Sequence, residues 1–317
     1  MIRQTIVASC VLVLMLAGIA RGQETAKELD ALLKQTAPSI VTVKVVLKTE
    51  IAMMGQVQDQ ESRLELQGVV VDPKGLIMLS NAPISGERMM EMMGGMGGGM
   101  QFDIKVTPVE FKVVVEREEE EYEAFLAAKD TKLDLAFIQV EGLGERALQA
   151  VVFGKRVKPA IGERVFSVTR MKKGYDYAPY FESSRIGGAI TKPRKAWILD
   201  GGLSGFGLPV LARSGDTIGV LTTISSGVKD DSGAGGPLGV GGLMRMLSGG
   251  GTAAAVGGFV LPGSVVKAVI AQAMKQAEEV AAERAAAAEK ASKEEAEEGD
   301  KKPDDKPSEG ESKDDGF

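Results

Sequence analysis

Short Val- and Ile-rich segments, broken at turn-like intervals, run through most of this chain, and they constrain its class more than any other feature. Ser39–Leu47, Leu64–Val71, Phe111–Val115, Leu135–Val140, Val165–Val168 and Thr217–Ile224 are of this kind, with Gly, Pro, Asp and Lys as the punctuation. β-Branched side chains fit a pleated, half-buried surface, so each segment reads as a strand. No stretch of helical period separates them, which excludes βαβ units and a parallel sheet. The body of the chain is therefore all-β, a sandwich or barrels, and one long domain or two small barrels both fit.

The period changes at Ser264. Val266, Val269, Ile270, Ala273 and Ala277 recur at three and four residues, and Ser264 stands where it would cap the first turn. The spacing predicts a C-terminal Ala/Glu-rich helix over 264–298. Beyond Val280 its apolar face is only Ala, and Glu289 and Lys293 stand four apart in the favourable order, so propensity and ion pairs support it. Residues 299–317 are charged and almost free of apolar side chains, the composition of a disordered tail. Two Gly-rich stretches interrupt the strands: a Gly/Met-rich insertion over 86–101, and Gly233–Gly258. The acidic run Glu116–Glu121 reads as a solvated turn.

Composition excludes much chemistry. The chain holds no histidine, and its only cysteine is Cys10, so imidazole catalysis, a disulfide, a thiolate zinc site and a cysteine nucleophile all fall away. Acidic residues outnumber basic ones 44 to 38, a net charge of −6. Residues from Ala273 onward hold 15 acidic and 8 basic side chains, or −7, so the body is nearly neutral. A neutral body offers no clustered cations for nucleic acid.

At the N-terminus Arg3 precedes a largely apolar run from Ile6 to Ala20, and Ala20-Arg21-Gly22 offers small residues before Gln23. This is the pattern of a cleaved signal peptide, residues 1–22, too short to span a bilayer as a helix, a retained anchor being the alternative. The mature chain is expected to be exported, to the periplasm or cell envelope of a bacterium, with no membrane span after cleavage.

Four segments carry a family resemblance. Ala37-Pro38-Ser39-Ile40-Val41 is followed by the run from Gln67 through Gly68, Asp72, Pro73 and Gly75 to Ser80 and Asn81. Then come Leu133-Asp134-Leu135-Ala136-Phe137-Ile138-Gln139-Val140, and Ser204-Gly205-Phe206-Gly207-Leu208-Pro209 with Val210-Leu211 and Ile218-Gly219-Val220 behind it. Over residues 36 to 270 the chain resembles the trypsin-fold serine proteases of the HtrA/Deg type. The resemblance implies two six-stranded antiparallel β-barrels in a domain over 23–270, a C-terminal helix, and a catalytic triad at the barrel junction.

The resemblance also shows what is missing. The family's histidine follows the Asn, where this chain has Ala82; its aspartate corresponds to Asp134; its nucleophilic serine corresponds to Phe206. A competing register sets Ser232-Gly233-Ala234-Gly235-Gly236-Pro237 on the nucleophile loop and puts Ala234 in the serine's place. Neither register supplies a nucleophile. The family's C-terminal peptide-binding domain is replaced here by the helix and tail.

The expectation is a protease homologue without hydrolytic chemistry, acting by binding an envelope protein or peptide, with Phe206, Gly205 and Gly207 as the floor of its cleft. One alternative is an active serine hydrolase in which Ser204 is the nucleophile and a lysine or carboxylate its base. The other is an inert structural component of the envelope. No cofactor is expected. Met89, Met90, Met92, Met93, Met96 and Met100 have the soft thioethers that suit Cu(I). Their plainer reading is a loose insertion packing on the barrel.

Overall fold

The structure, a computed structural model, describes residues 26–53, 56–86, 103–153, 157–223 and 258–299. The signal segment 1–22, the methionine cluster, the Ala234 register and the tail from Asp300 lie outside the described residues.

A helix over 26–36 (α1) and a 3-10 turn at Ala37–Ser39 lead into the first barrel. Its strands are β1 (Ile40–Met53), β2 (Gln56–Asp72), β3 (Leu76–Ser80), β4 (Asp103–Val114), β5 (Glu121–Asp130) and β6 (Leu135–Val140). They close in the order β1-β2-β3-β6-β5-β4, each neighbouring pair antiparallel. The second barrel uses β7 (Arg164–Arg170), β8 (Pro179–Ile190), β9 (Ala196–Asp200), β10 (Pro209–Leu211), β11 (Thr217–Thr222) and β12 (Phe259–Pro262). It closes as β10-β11-β12-β9-β8-β7, again antiparallel throughout. Two six-stranded antiparallel barrels followed by a C-terminal helix are the architecture the sequence implied.

Alternation along each strand fills the two interiors. In the first, Val41, Val43, Val45 and Leu47 of β1 meet Val70, Ile77, Leu79, Val113, Ala136 and Ile138. In the second, Val165, Ile186, Leu199, Val210, Ile218, Leu221 and Val260 form the core. Gly219 shows how tightly β11 and β12 approach: a Cβ there would lie 1.7 Å from the Leu261 carbonyl oxygen.

β1 and β2 outrun their barrel. They pair from Ile40↔Val69 out to Met53↔Gln56, and β4 follows β1 as far as Ala52↔Asp103. β3 pairs β2 only between Gly68 and Asp72, and β5 pairs β4 only between Phe111 and Val114. A three-stranded antiparallel extension with two edges results. Charged side chains lace it: Lys48 reaches Glu50 at 3.8 Å and Asp59 at 3.2 Å, and Lys105 reaches Glu50 at 3.8 Å.

A buried arginine pins the second barrel to the entry of the first. Arg170, 6% exposed, donates through Nε to the Ile40 carbonyl at 2.6 Å, through Nη2 to Ala37 at 2.7 Å and through Nη1 to Tyr177 at 3.1 Å. Its burial pulls the guanidinium pKa down. Three carbonyl acceptors offset the desolvation of the charge.

The last helix, α2, runs over Gly263–Gly299. It begins one residue before Ser264, which therefore lies inside the first turn and does not occupy the cap. β12 ends at Pro262, paired with Gly219, and the chain turns into the helix at once. Val266, Ile270, Ala273 and Ala277 are its buried stripe. From Glu278 the chain forms a separate unit, in which residues 281–290 are all exposed.

Candidate functional site

Four segments supply the candidate site: the end of β3, the approach to β6, the loop between β9 and β10, and the end of β11. β3 stops at Ser80. Asn81 follows, and Ala82–Ile84 form a 3-10 turn around Pro83.

Asp134 is the centre of this region. It is fully buried and sits at φ +57°, a left-handed conformation that Asp tolerates better than most residues. Its backbone carbonyl accepts the Asn81 N–H at 3.1 Å, which brings Ala82 within one residue of the contact. Its Oδ2 accepts the Ser80 hydroxyl at 3.2 Å and the Thr223 hydroxyl at 2.6 Å. Thr222 donates its own hydroxyl to the Leu133 carbonyl at 2.6 Å. Ser80 belongs to the first barrel and Thr223 follows β11 of the second, so the carboxylate ties the barrels together.

The β9–β10 loop closes on the same place. Gly207, at φ +84°, packs so tightly that a Cβ would lie 2.4 Å from the Ser80 nitrogen and 2.7 Å from the Leu79 carbonyl carbon. Only glycine fits both the conformation and the space. The strand pair expected behind this loop is β10 and β11, with Pro209 opposite Val220 and Val210 opposite Gly219. The turn bearing Ala82, the buried Asp134 and the loop bearing Phe206 are thus brought together. Phe206 is half-buried and packs against the second-barrel core, within reach of Gly258. Gly205 and Gly207 are both buried.

Ser204 is exposed, and a carboxylate holds it. Its hydroxyl donates to Glu182 Oε1 at 2.6 Å and its backbone N–H donates to Glu182 Oε2 at 2.8 Å. Tyr180, two residues away on β8, has its phenol pKa raised by burial and by the Glu182 charge, against a hydrogen bond with Ser204 that lowers it.

The backbone amides decide what this loop can do. In trypsin-like enzymes the oxyanion is held by the N–H of the nucleophile and that of the residue two before it. On the expected register, with Phe206 in the nucleophile's place, those amides would belong to Phe206 and Ser204. The Phe206 N–H donates to the Ser204 carbonyl at 3.0 Å, and the Ser204 N–H donates to Glu182. Their neighbours are committed too: the Gly207 N–H to Leu221 at 2.8 Å, and the Leu208 N–H to Gly205 at 3.1 Å. A carboxylate seated on one of the two amides also opposes a second negative charge there.

Sequence reasoning named Ala82, Asp134, Ser204 and Phe206 but missed Ser80 as a partner, Thr223 and Glu182. Ser80 stands inside the run that ends at Asn81. Glu182 lies 22 residues before Ser204 on β8, with no local pattern to link the two. Among the described residues no group of three or more His, Cys, Asp or Glu side chains is placed to hold a metal ion. A recess of about 240 Å³ lies elsewhere, lined by residues that include Thr36, Ser39, Gln149, Val151, Leu211 and Thr217, and none of the site residues lines it.

The paired barrels are consistent with a trypsin-like fold. No protein-family model matches the chain, and no curated protein matches it.

Proposed function

We propose that this chain is an exported, catalytically inactive homologue of trypsin-like proteases of the HtrA/Deg type, acting in the cell envelope by binding a peptide or protein. One observation carries the reading. Both amides in the oxyanion positions are spent internally, one of them on a carboxylate, in a chain that holds no histidine. Proton transfer and oxyanion stabilisation, the two terms that a serine protease supplies, are thereby both removed. Loss of chemistry leaves the strands intact, and an extended segment binds a sheet edge through main-chain hydrogen bonds.

One observation favours a second reading. Ser204 Oγ lies 2.6 Å from a carboxylate oxygen of Glu182, the geometry of a hydroxyl facing a base. In that reading Ser204 is the nucleophile of a hydrolase. It is the weaker of the two, because the same carboxylate occupies the Ser204 amide.

Purified mature protein is assayed with casein and fluorogenic peptides and labelled with a fluorophosphonate. No turnover and no label are expected. Covalent labelling that disappears in Ser204→Ala would overturn the inactive reading in favour of the hydrolase.

A further inference from the structure

The outer edge of β2 offers a place for a bound strand. Among the described residues, nothing pairs with this strand between Val57 and Leu66 on the side away from β1. The register with β1 runs through this stretch without a bulge, so its side chains alternate strictly between two faces. Gln58, Gln60, Ser62, Leu64 and Leu66 point to one face, where Leu64 and Leu66 pack half-buried on the first-barrel core. Val57, Asp59, Glu61, Arg63 and Glu65 point to the other.

Natural sheets blunt such edges with proline, lysine, bulges or coverage. The opposite edge of the extension has that protection, since β4 carries Pro108 and shifts register near it. The β2 edge has neither proline nor glycine between Val57 and Leu66. Its own residues are three carboxylates (Asp59, Glu61, Glu65) and one cation, Arg63, a net of −2; Arg63 meets Glu61 at 3.5 Å and Lys48 of β1 meets Asp59 at 3.2 Å, both of them exposed pairs. Asp59 and Glu61 are 56% and 61% exposed.

We propose that the β2 edge from Val57 to Leu66 binds an extended peptide in which basic and apolar residues alternate, as an added antiparallel strand. Main-chain hydrogen bonds supply the docking, and alternate side chains supply the selectivity. Basic residues of the guest fall beside Asp59, Glu61 and Glu65, and its apolar residues fall on the face that carries Leu64 and Leu66. A second copy of this chain is a poor guest, because its own β2 brings the same net negative row. The inference rests on the reading that the protein acts by binding extended segments.

The test uses the full mature chain and a fluorescent ten-residue peptide of alternating Lys and Val, with an alternating Glu and Val peptide as control. Anisotropy gives the affinity, hydrogen exchange locates the contact, and mass spectrometry of the recovered peptide reports cleavage. The Lys peptide is expected to bind and to slow exchange at alternate amides between Val57 and Leu66, with affinity falling as salt rises. The exposed double variant Asp59→Lys, Glu61→Lys should weaken the Lys peptide by about tenfold and favour the Glu peptide. Equal affinity for the two peptides, binding without protection on β2, or no binding overturns the proposal. A cleaved peptide instead overturns the inactive reading, so the two failures are told apart.

Discussion

Gly207→Ala probes the contact on which the assignment of the site rests. The glycine sits at φ +84°, and an added Cβ would lie 2.4 Å from the Ser80 nitrogen, 2.7 Å from the Leu79 carbonyl carbon and 3.0 Å from the Leu79 Cα. All three atoms are backbone of β3, which cannot rotate aside as a side chain can. Holding an L-residue in the left-handed region costs about 1–2 kcal/mol. Forcing a methyl into a filled contact costs about 1–3 kcal/mol more. The sum is roughly 2–5 kcal/mol, a large part of the 5–15 kcal/mol that typical domains possess.

Gly202→Ala is the matched control. Gly202 lies in the same loop, with no atom within 4 Å of an added Cβ and a φ outside the left-handed region. It should be neutral or stabilise by about 0.4–1 kcal/mol through the unfolded state. Guanidinium unfolding of the two variants and the parent measures the difference, and Gly207→Ala should melt roughly 10 °C lower, at 2–4 °C per kcal/mol for a domain of this size. Equal midpoints would refute the reasoning. The β9–β10 loop would then not press on β3, and Phe206 would lose its claim to the nucleophile's place.

Asp134→Ala removes a fully buried carboxylate that accepts hydroxyls from both barrels, and should cost about 2–3 kcal/mol in chemical unfolding while leaving each barrel's strands in place. Glu121 and Lys44 form an ion pair whose hydrogen bond lowers the carboxyl pKa from 4.5 and raises the ammonium pKa from 10.5. The stability from the depressed carboxylate is present above its unfolded pKa and lost as pH falls below about 4.5; that from the raised ammonium is present below its unfolded pKa and lost as pH rises past about 10.5. A pH series of unfolding midpoints should show Glu121→Gln flattening both limbs. Installing the missing groups with Ala82→His and Phe206→Ser should not yield a peptidase in a fluorogenic assay, because the Ser204 amide stays on Glu182. Rapid turnover by that double variant would show that Glu182 gives way.

The strands that could be read from the sequence are those whose own side chains enforce them. β3, β6 and β11 are largely apolar runs that bury nearly every residue, and the first half of β1 alternates buried Val and Leu with mostly polar positions, so local composition and tertiary role agree. β5 reads Glu121-Tyr122-Glu123-Ala124-Phe125-Leu126-Ala127-Ala128-Lys129-Asp130, a composition equally suited to a helix. It becomes a strand because β4 and β6 flank it. β8 carries Ser183-Ser184 and Gly187-Gly188, which read as a turn until β7 and β9 are present to pair with it. The site divides the same way. Ser80, Asn81 and Ala82 are contiguous and Asp134 opens a hydrophobic strand, so their neighbourhood was legible. Glu182 and Thr223 reach the site only through barrel closure, 22 and 89 residues from the atoms they bind.

On the proposed reading, the committed amides account for the stability of the loop without catalysis. An enzyme must hold its oxyanion donors open for a charge that exists only in the transition state, and each unpaired buried donor costs about 1–3 kcal/mol. A chain under no demand to hydrolyse gains by closing them. Here the Phe206 N–H turns back to the Ser204 carbonyl, and Glu182 takes both the amide and the hydroxyl of Ser204 in one bidentate contact. Phe206 adds to this by joining the second-barrel core where a serine would present a polar group to be satisfied. Each of these changes lowers the free energy of the resting loop, and each raises the barrier to catalysis. On the proposed inactive reading, several contacts of the loop would have to change, and restoring two side chains does not undo them.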